Sequence, residues 1–232
     1  MDLPYFFFDS NIANANVELN EETSRHIVQV LRMENGEKLM LANGKGQTFK
    51  VEISNAHKKY CRVNVLETFF SEKPKPQVSI AISLLKNSSR FEWFLEKAVE
   101  IGVQKIIPLI CKRTEKQHFR FDRMKAITIS AMLQSKQSYL AELSEPKKIN
   151  DFVIEKIEGQ KFIAHCEETG DKNKIPDNLN LENRLILIGP EGDFTHEEIH
   201  SALTNNFSPV TLGQTRLRTE TAGIVAATLL CN

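Results

Sequence analysis

Cysteine, net charge and long apolar runs are all scarce in this sequence, and each shortage argues against a class of protein. The four cysteines among 232 residues are widely spaced and form no Cys-x-x-Cys pair, which argues against a disulfide scaffold or a cysteine-based metal cluster. Thirty basic residues balance thirty acidic ones, so only a local basic patch could meet a polyanion. No apolar run is long enough to span a bilayer, and the N-terminal run is too short for a signal peptide. We therefore expect a soluble, cytoplasmic protein with reduced thiols.

The first seventy residues have the pattern of a small β-rich domain. The hydrophobic share of the whole chain, 41%, is enough for one large or two modest cores. In QTFKVEIS the side chains of Phe49, Val51 and Ile53 alternate with polar ones, and YCRVNVLETFF repeats this period. The preceding stretch ANGKG is typical of a tight hairpin turn. With one short helix in ETSRHIVQVLR, this segment is predicted to form a small barrel with a helix.

A different pattern begins after the connector SEKPKPQ, residues 71–77, whose two prolines among charged residues predict an extended segment. The continuous apolar run VSIAISLL is typical of a strand that is covered on both faces. SSRFEWFLEKAVEIG has helical spacing, a Ser89–Glu92 capping-box pattern and Gly102 as its terminator, and the strand VQKIIPLI follows. A longer helix is predicted over DRMKAITISAMLQSKQSYL, and further strands in KFIAHC, RLILIG and SPVTLG. Two more helices are predicted, THEEIHSALTN with a cap formed by Thr195 and Glu198, and TETAGIVAATLL. The segment 78–232 is therefore predicted to be an α/β domain with parallel strands.

Two glycine-containing loops follow predicted strands of this α/β domain. They are IGPEG, residues 188–192, and LGQTRLRTETAG, residues 212–223, and ligands of open α/β sheets bind beyond such strand ends. The glycines and Pro190 would build a stiff wall of backbone groups, although two ordinary strand-to-helix turns would have the same composition. Glu191 and Asp193 would repel an anion at the start of the next helix, so a ligand with cationic or hydroxyl groups fits better.

The segment HEEIH, residues 196–200, also matches the zinc-protease motif. His196 and His200 are four residues apart on a predicted helix, Glu197 would be the general base, and Glu220 is a conceivable third ligand. The same residues also suit the solvated first turn of a short helix, where acidic side chains are favourable. Another hypothesis is a non-catalytic RNA-binding module that uses the basic residues and leaves both loops without a ligand.

The two loops, in the order LIGPEGDFTHEEI and LGQTRLRTETA, resemble those of the SPOUT-class RNA methyltransferases, and more narrowly of the bacterial 16S ribosomal RNA uridine-N3 methyltransferase family. RHIVQVLRMENGE near the start and FLEKAVEIGVQKIIP in the middle extend the similarity over nearly the whole chain. The resemblance implies a PUA-like RNA-binding β-barrel over residues 1–70, a linker over residues 71–77, and a SPOUT α/β methyltransferase domain with a C-terminal trefoil knot over residues 78–232. It also implies S-adenosyl-L-methionine as the methyl donor, 16S ribosomal RNA or the small ribosomal subunit as the partner, a homodimer, and neither a metal nor a membrane.

The resemblance also implies roles for residues of the two loops. The implied cofactor-binding residues are Leu187, Ile188, Gly189, Pro190, Glu191, Gly192, Leu212, Gly213, Gln214, Leu217, Arg218, Thr219 and Ala222. Arg218, and after it Arg216, would stabilise the negative charge that develops on uracil O2 or O4 as N3 loses its proton. Glu220 is a candidate proton acceptor, and equally a favourable charge at a helix N-terminus. His165, at another strand end, is a further candidate for the pocket.

Local basic side chains would hold the RNA, since the net charge is zero. The predicted RNA-binding residues are Arg25, Arg32, Lys112, Arg113, Arg120, Arg123 and Lys136. Two positions depart from the family pattern. Asp193 stands where the family usually has a second glycine after GPEG. Gln134-Ser135 is followed by Lys136 and Gln137, where the family commonly has an arginine, so Lys136 would have to supply that charge.

Overall fold

The computed structural model describes residues 3–9, 16–167, 173–176, 179 and 182–231. The chain forms two compact units, which are Met1–Lys73 with Met132–Leu140, and Pro74–Ala131 with Ala141–Asn232. The division between them falls inside the proline-containing segment 71–77, and one short segment returns later to the first unit. The sequence did not predict this return, because those residues continue a helical pattern. None of the described helices combines the length and the apolar character needed to cross a membrane.

The first unit is built on a five-stranded sheet and a short helical segment. Its elements are β1 (Tyr5–Phe7), β2 (Asn16–Glu18), α1 (Glu21–Arg25) with a π-helical turn (His26–Val30), β3 (Lys38–Ala42), β4 (Gln47–Asn55) and β5 (Arg62–Phe70). The strand order is β1-β3-β4-β5-β2, in which β1 is parallel to β3 and the other pairs are antiparallel. The helix predicted in ETSRHIVQVLR is thereby confirmed, with a π-helical second half.

The side-chain alternation predicted for β4 is confirmed. Phe49, Val51 and Ile53 are at most 3% exposed and share one core cluster with residues of β3 and β5. The predicted hairpin between β3 and β4 is also present, and Gly44 and Gly46 in its turn have positive φ angles. Glycine adopts this conformation without strain.

The second unit contains a parallel sheet and most of the helices. Its strands are β6 (Gln77–Ser83), β7 (Lys105–Ile110), β8 (Glu142–Leu143), β9 (Lys147–Lys148), β10 (Gln160–Ala164), β11 (Asn173–Lys174), β12 (Asn183–Ile188) and β13 (Ser208–Thr211). The helices are α2 (Ser88–Ile101), α3 (Phe121–Gln134), α4 (Ile149–Val153), α5 (His196–Thr204) and α6 (Thr219–Cys231), of which α3 ends in the first unit. The strand order is β11-β13-β10-β12-β6-β7-β8, with β9 also paired to β7, and each of these pairs is parallel.

The central strand β6 is covered on both faces, as its continuous apolar run predicted. Ala81 belongs to the core cluster that includes residues of α4 and α5. The next residue, Ile82, lies on the opposite face, close to Gly223 of α6. Both Ala81 and Ile82 are fully buried. The carboxyl end of β6 is therefore fixed by packing from two helical layers.

Helix α2 ends as the sequence predicted but begins differently. Gly102 terminates it with a φ of 109°. The predicted Ser89–Glu92 capping box is wrong, because Asn87 is the N-cap residue and its side chain accepts a hydrogen bond from the N–H of Ser89 at 2.9 Å. Glu92 instead pairs with Arg123, so a contact distant in sequence replaces the local one.

Helix α3 is shorter than predicted. It ends at Gln134, whereas the spacing predicted a helix that reaches Leu140. Lys136 has a φ of 54°, a left-handed conformation that a right-handed helix cannot continue through. Beyond this point Tyr139 pairs with Lys45 of the first unit. The end of the helix is therefore decided by packing within that unit.

Candidate cofactor-binding site

Three neighbouring strands of the second unit end at one edge of its sheet. β10 lies between β12 and β13, and its last residue, Ala164, is in register with Ile188 of β12 and Val210 of β13. Because the strands are parallel, the loops that follow them meet beyond this edge, where ligands of such sheets bind. A cavity of about 540 Å³ lies there, and this volume is typical of small-molecule sites.

The cavity brings together both glycine-containing loops. The predicted cofactor-binding residues that line it are Ile188, Gly189, Pro190, Glu191, Leu212, Gly213, Gln214, Leu217, Arg218, Thr219 and Ala222. Arg216, predicted as catalytic, and His165 line it as well. The lining residues that sequence reasoning missed are Ala164, Cys166, Asp193, Val210, Thr211 and Thr215. For Ala164 and Cys166 the order of the strands was the missing signal, since it places the end of β10 between the two loops.

Leu187 and Gly192 support the wall of the cavity without lining it. Leu187 is fully buried in the core cluster that contains Phe194, and successive residues of a strand face opposite sides. Gly192 lies against the side chain of Arg113, since a Cβ added to Gly192 would be 3.3 Å from Cδ of Arg113. Both residues are placed to hold the loop from behind.

The first loop, together with Asp193 after it, turns tightly over the side chain of Phe194. The N–H of Asp193 donates to the carbonyl of Pro190 at 2.9 Å. Gly189 has little room for a side chain, because a Cβ there would lie 3.1 Å from Cδ2 and 3.2 Å from the backbone nitrogen of Phe194. Phe194 is fully buried and cannot easily move away. The wall of the cavity at Gly189 is therefore formed by backbone.

The structure explains how an aspartate can occupy position 193, where the family usually has a glycine. The φ of Asp193 is 64°, a conformation that glycine favours and that aspartate tolerates better than most residues. Its Oδ1 accepts a hydrogen bond from the N–H of Phe194 at 2.8 Å, and its Oδ2 accepts one from the N–H of Cys166 at 2.7 Å. The aspartate thus keeps a glycine-like backbone and links the loop to the end of β10.

Helix α5 begins directly after this loop with the predicted capping box. The Thr195 hydroxyl accepts a hydrogen bond from the N–H of Glu198, and the Glu198 carboxylate accepts one from the N–H of Thr195 at 2.8 Å. The other carboxylate oxygen of Glu198 accepts a hydrogen bond from the N–H of Lys112 at 2.7 Å. The start of α5 is therefore tied to the segment that follows β7.

The part of the second loop that precedes α6, residues 212–218, carries both candidate catalytic arginines. Arg216 and Arg218 are exposed and line the cavity, so a ligand can reach them. Glu220, in the first turn of α6, is only 7% exposed, and its Oε1 lies 3.6 Å from Nε of Arg90 in α2. Glu220 is not among the residues that line the cavity. This position favours the helix-end role of Glu220 over the proton-accepting one.

Comparisons with known proteins agree with this geometry. A family profile described as the RNA methyltransferase domain matches residues 71–231, and one described as the RNA methyltransferase PUA domain matches residues 19–66. A ribosomal RNA small subunit methyltransferase E from Synechocystis sp. is 30% identical over 224 residues, which cover 93% of this chain and 72% of the relative. This chain belongs to the ribosomal RNA small subunit methyltransferase E family.

Two solved structures of related proteins have the same fold as this chain. A probable rRNA methyltransferase from Porphyromonas gingivalis has a TM-score of 0.89 and 36% identity, with 98% of each chain covered. A ribosomal RNA small subunit methyltransferase E from Neisseria gonorrhoeae, bound to S-adenosyl methionine, has a TM-score of 0.86 and 26% identity, with 97% of this chain and 95% of the other covered. The predicted α/β methyltransferase domain and the predicted PUA domain are confirmed at this level.

Several predicted RNA-binding arginines of this family member have partners within the protein. Arg123 donates two hydrogen bonds to the Glu92 carboxylate, at 2.6 and 2.8 Å, and Arg120 lies 3.9 Å from it. The hydrogen bonds from Arg123 hold the pKa of Glu92 below its usual range. Arg25 pairs with Glu21 at 2.8 Å. These contacts compete with RNA phosphates for the same guanidinium groups.

The remaining predicted RNA-binding residues differ in their surroundings. Arg113 donates from Nη1 to the carbonyls of Gly192 and Phe194, at 2.7 and 3.0 Å. Arg32, Lys112 and Lys136 are exposed. Their contacts with RNA stay predictions.

The geometry does not support the zinc-protease hypothesis. His196 lies with Nδ1 3.3 Å from Oε2 of Glu167, and Glu220 is paired with Arg90 instead of approaching the histidines. Over residues 3–9, 16–167, 173–176, 179 and 182–231, no group of three histidine, cysteine or acidic side chains is placed to bind a metal. The HEEIH segment is instead part of α5.

Proposed function

We propose that this protein methylates N3 of a uridine in 16S ribosomal RNA, with S-adenosyl-L-methionine as the methyl donor. The observation that carries the proposal is the cavity of about 540 Å³ formed by both loops at the ends of β10, β12 and β13, in a chain of this methyltransferase family. The substrate would be the RNA alone or the small ribosomal subunit, in the cytoplasm.

The residues that line the cavity suit S-adenosyl-L-methionine chemically. The lining is rich in backbone groups at Gly189, Pro190 and Gly213, which can bind the polar edges of an adenine and the ribose. Glu191 and Asp193 bring negative charge, which favours the sulfonium, the ammonium and the hydroxyl groups of this donor. The size of the cavity and these groups support the predicted cofactor role of the two loops, and Arg216 and Arg218 of the same lining balance the two acidic charges.

The chain's own contribution to the reaction is to orient the reactants and to stabilise charge. When bound, S-adenosyl-L-methionine supplies a methyl group on a sulfonium that is already a strong electrophile. Uracil N3 carries a proton at neutral pH, and its loss places negative charge on O2 and O4. Arg218, with Arg216 as the second candidate, would donate hydrogen bonds to that charge, as donors do in an oxyanion hole. Glu220 would hold the first turn of α6 through Arg90.

RNA recognition is proposed to combine the first unit with basic residues of the second. The first unit would be the PUA-like barrel of residues 1–70 and would contribute Arg25 and Arg32. A target uridine that is unstacked in folded RNA would enter the cavity. Phosphate contacts would make binding dependent on salt concentration.

Two architectural features of the family are proposed as well. After β13 the chain returns in α6 to pack on β6, β12 and α2, and we propose that this return closes a trefoil knot. Helix α6 also leaves apolar side chains partly accessible, among them Leu229, which is 44% exposed, and Val225. Burial of these side chains between two copies would stabilise a homodimer.

Two measurements test the proposed function. Isothermal titration calorimetry of the purified protein should show binding of S-adenosyl-L-methionine, which a non-catalytic RNA-binding module would lack. Mass spectrometry of 16S ribosomal RNA from cells without the gene should show one unmethylated uridine N3, and the purified protein should restore the methyl group. Fully methylated RNA in those cells, together with no heat of binding, would exclude this function.

A further inference from the structure

The first loop is held in place by two charged side chains, Arg113 and Asp193. Nη1 of Arg113 donates to the carbonyl of Gly192 at 2.7 Å and to the carbonyl of Phe194 at 3.0 Å. Between these carbonyls, the N–H of Asp193 donates to the carbonyl of Pro190, and the N–H of Phe194 donates to Oδ1 of Asp193. The carbonyls of Gly192 and Phe194 and the N–H groups of Asp193 and Phe194 therefore all have partners.

These two side chains connect the loop to strand ends on opposite sides of β12. Arg113 follows β7, and the N–H of Cys166, which donates to Oδ2 of Asp193 at 2.7 Å, follows β10. In the sheet, β10 is next to β12 on one side, and β7 lies on the other side beyond β6. The chain makes room for this arrangement at Gly192, where a Cβ would be 3.3 Å from Cδ of Arg113.

A loop with two glycines has many conformations available when nothing holds it. A ligand that binds only one conformation has its affinity reduced by the fraction of molecules in that conformation, and prior ordering of the loop removes this loss. Asp193 lines the cavity, so an ordered backbone at this residue means an ordered cavity wall. Both contacts of Arg113 use Nη1, so its role at the loop is separate from any contact that Nε or Nη2 could make with RNA.

We propose that Arg113 and Asp193 are positioning residues for the cofactor, which hold residues 189–194 in the ligand-binding conformation before the cofactor arrives. This inference rests on the proposed function, since it assumes that S-adenosyl-L-methionine binds at this loop. It assigns Arg113 a role at the cofactor site that does not depend on RNA. It also gives the aspartate at position 193 a task that a glycine there could not perform.

Variants at the two positions separate positioning from general stability. Arg113→Met keeps an aliphatic stem against Gly192 and removes the donors, and Asp193→Gly keeps the left-handed backbone and removes both acceptors. In each case we expect the Kd and the KM for S-adenosyl-L-methionine to rise about tenfold, as when the competent fraction falls to about a tenth. For Arg113→Met, a residue that does not line the cavity, the kcat at saturating cofactor and RNA should stay within about twofold of wild type. Asp193→Asn retains one acceptor oxygen and should give an intermediate Kd.

RNA affinity, measured without cofactor, distinguishes the two roles of Arg113. We expect Arg113→Met to bind 16S ribosomal RNA as wild type does. The matched control is Lys156→Met, which removes an exposed positive charge from the same unit and should change neither affinity. A wild-type Kd for the cofactor in both Arg113→Met and Asp193→Gly would overturn the proposal. Weaker RNA binding with an unchanged cofactor Kd would return Arg113 to the RNA surface.

Hydrogen exchange tests the same contacts in the wild-type protein and does not depend on variants that fold poorly. In the protein without ligand, the amides of Cys166 and Phe194 should exchange slowly, and Asp193→Gly should accelerate both. Rapid exchange of these two amides in wild type would refute the ordering of the loop. A wild-type protein that binds no S-adenosyl-L-methionine would instead refute the proposed function, and slow exchange would still show that the loop is held.

Discussion

Replacing Gly223 with alanine tests how closely α6 packs on the sheet and on α2. A Cβ at Gly223 would lie 2.5 Å from Cε2 and 2.8 Å from Cδ2 of Phe94, and 3.0 Å from Cδ1 of Ile82. Phe94 and Ile82 are both fully buried, so neither can turn towards solvent. The added methyl group must therefore push α6 away from its neighbours.

Two opposing free-energy terms decide the outcome of Gly223→Ala. Alanine is favoured over glycine inside a helix by about 1 kcal/mol. Overpacking of a core costs about 1–3 kcal/mol, and contacts this short with buried neighbours place Gly223 at the upper end. We expect a net destabilisation of about 2 kcal/mol, which lowers the Tm of a domain of this size by about 4–8 °C. Ala222 and Thr219 of the same helix line the cavity, so affinity for S-adenosyl-L-methionine should fall as well.

Thermal unfolding followed by circular dichroism measures the effect, and a second variant identifies its cause. Phe94→Leu removes the edge of the ring that the new methyl group meets. The double variant should be more stable than the sum of the two single changes predicts, because it removes the clash. A Gly223→Ala protein that is as stable as wild type, or more stable, would show that helix propensity dominates and that the close approach is absent.

Four further predictions concern the cavity and its surroundings. Gly189→Val places a branched side chain against the buried ring of Phe194, which would be 3.1 Å from the new Cβ. The displaced loop should weaken cofactor binding in calorimetry by about tenfold or more, which is about 1.4 kcal/mol of binding free energy, and an unchanged Kd would contradict the backbone wall. Arg218→Ala should lower kcat by about 10²–10³ with an unchanged circular dichroism spectrum, and near-normal turnover would remove Arg218 from the charge-stabilising role. Cys166 is exposed and lines the cavity, whereas burial raises the pKa of the Cys111 thiol to about 12. Iodoacetamide at pH 8 should therefore label Cys166 and leave Cys111 unmodified in the folded protein. Bound cofactor should slow the labelling of Cys166. Equal labelling with and without cofactor would place the ligand elsewhere. The pKa of Glu92 is lowered in the folded protein, so the stabilisation by this carboxylate is present above the unfolded pKa of about 4.3 and is lost as pH falls through the lower folded pKa. Glu92→Gln should therefore lower the free energy of unfolding by about 1 kcal/mol or less at pH 7, and should have no effect once the wild-type carboxyl is protonated. A cost that does not depend on pH would exclude the ion pair as its cause.

Features that depend on residues close together in the chain could be predicted from the sequence. The alternation in β4, the buried run in β6 and the Thr195–Glu198 capping box are examples, and all three are present. The two loops could be located because strand-to-helix transitions have a local composition and because their motifs resemble a family. Local pattern also gave errors where a distant partner decided the structure. The Ser89–Glu92 capping box is replaced by an Asn87 cap, and Glu92 pairs with Arg123, 31 residues away.

The sequence by itself located the five longer strands and four longer helices of the second unit, the two loops and most residues that line the cavity, whereas β8, β9, β11 and α4 were not predicted. Only the tertiary structure decided that Cys166 and Asp193 belong to the wall of the cavity and that Glu220 is buried beside Arg90. It also placed Arg113 on the carbonyl of Gly192, 79 residues further along the chain. The physical reason is that a charged side chain is compatible with many local surroundings. The order of the strands determines which residue lies next to such a side chain, and no short stretch of sequence contains that order.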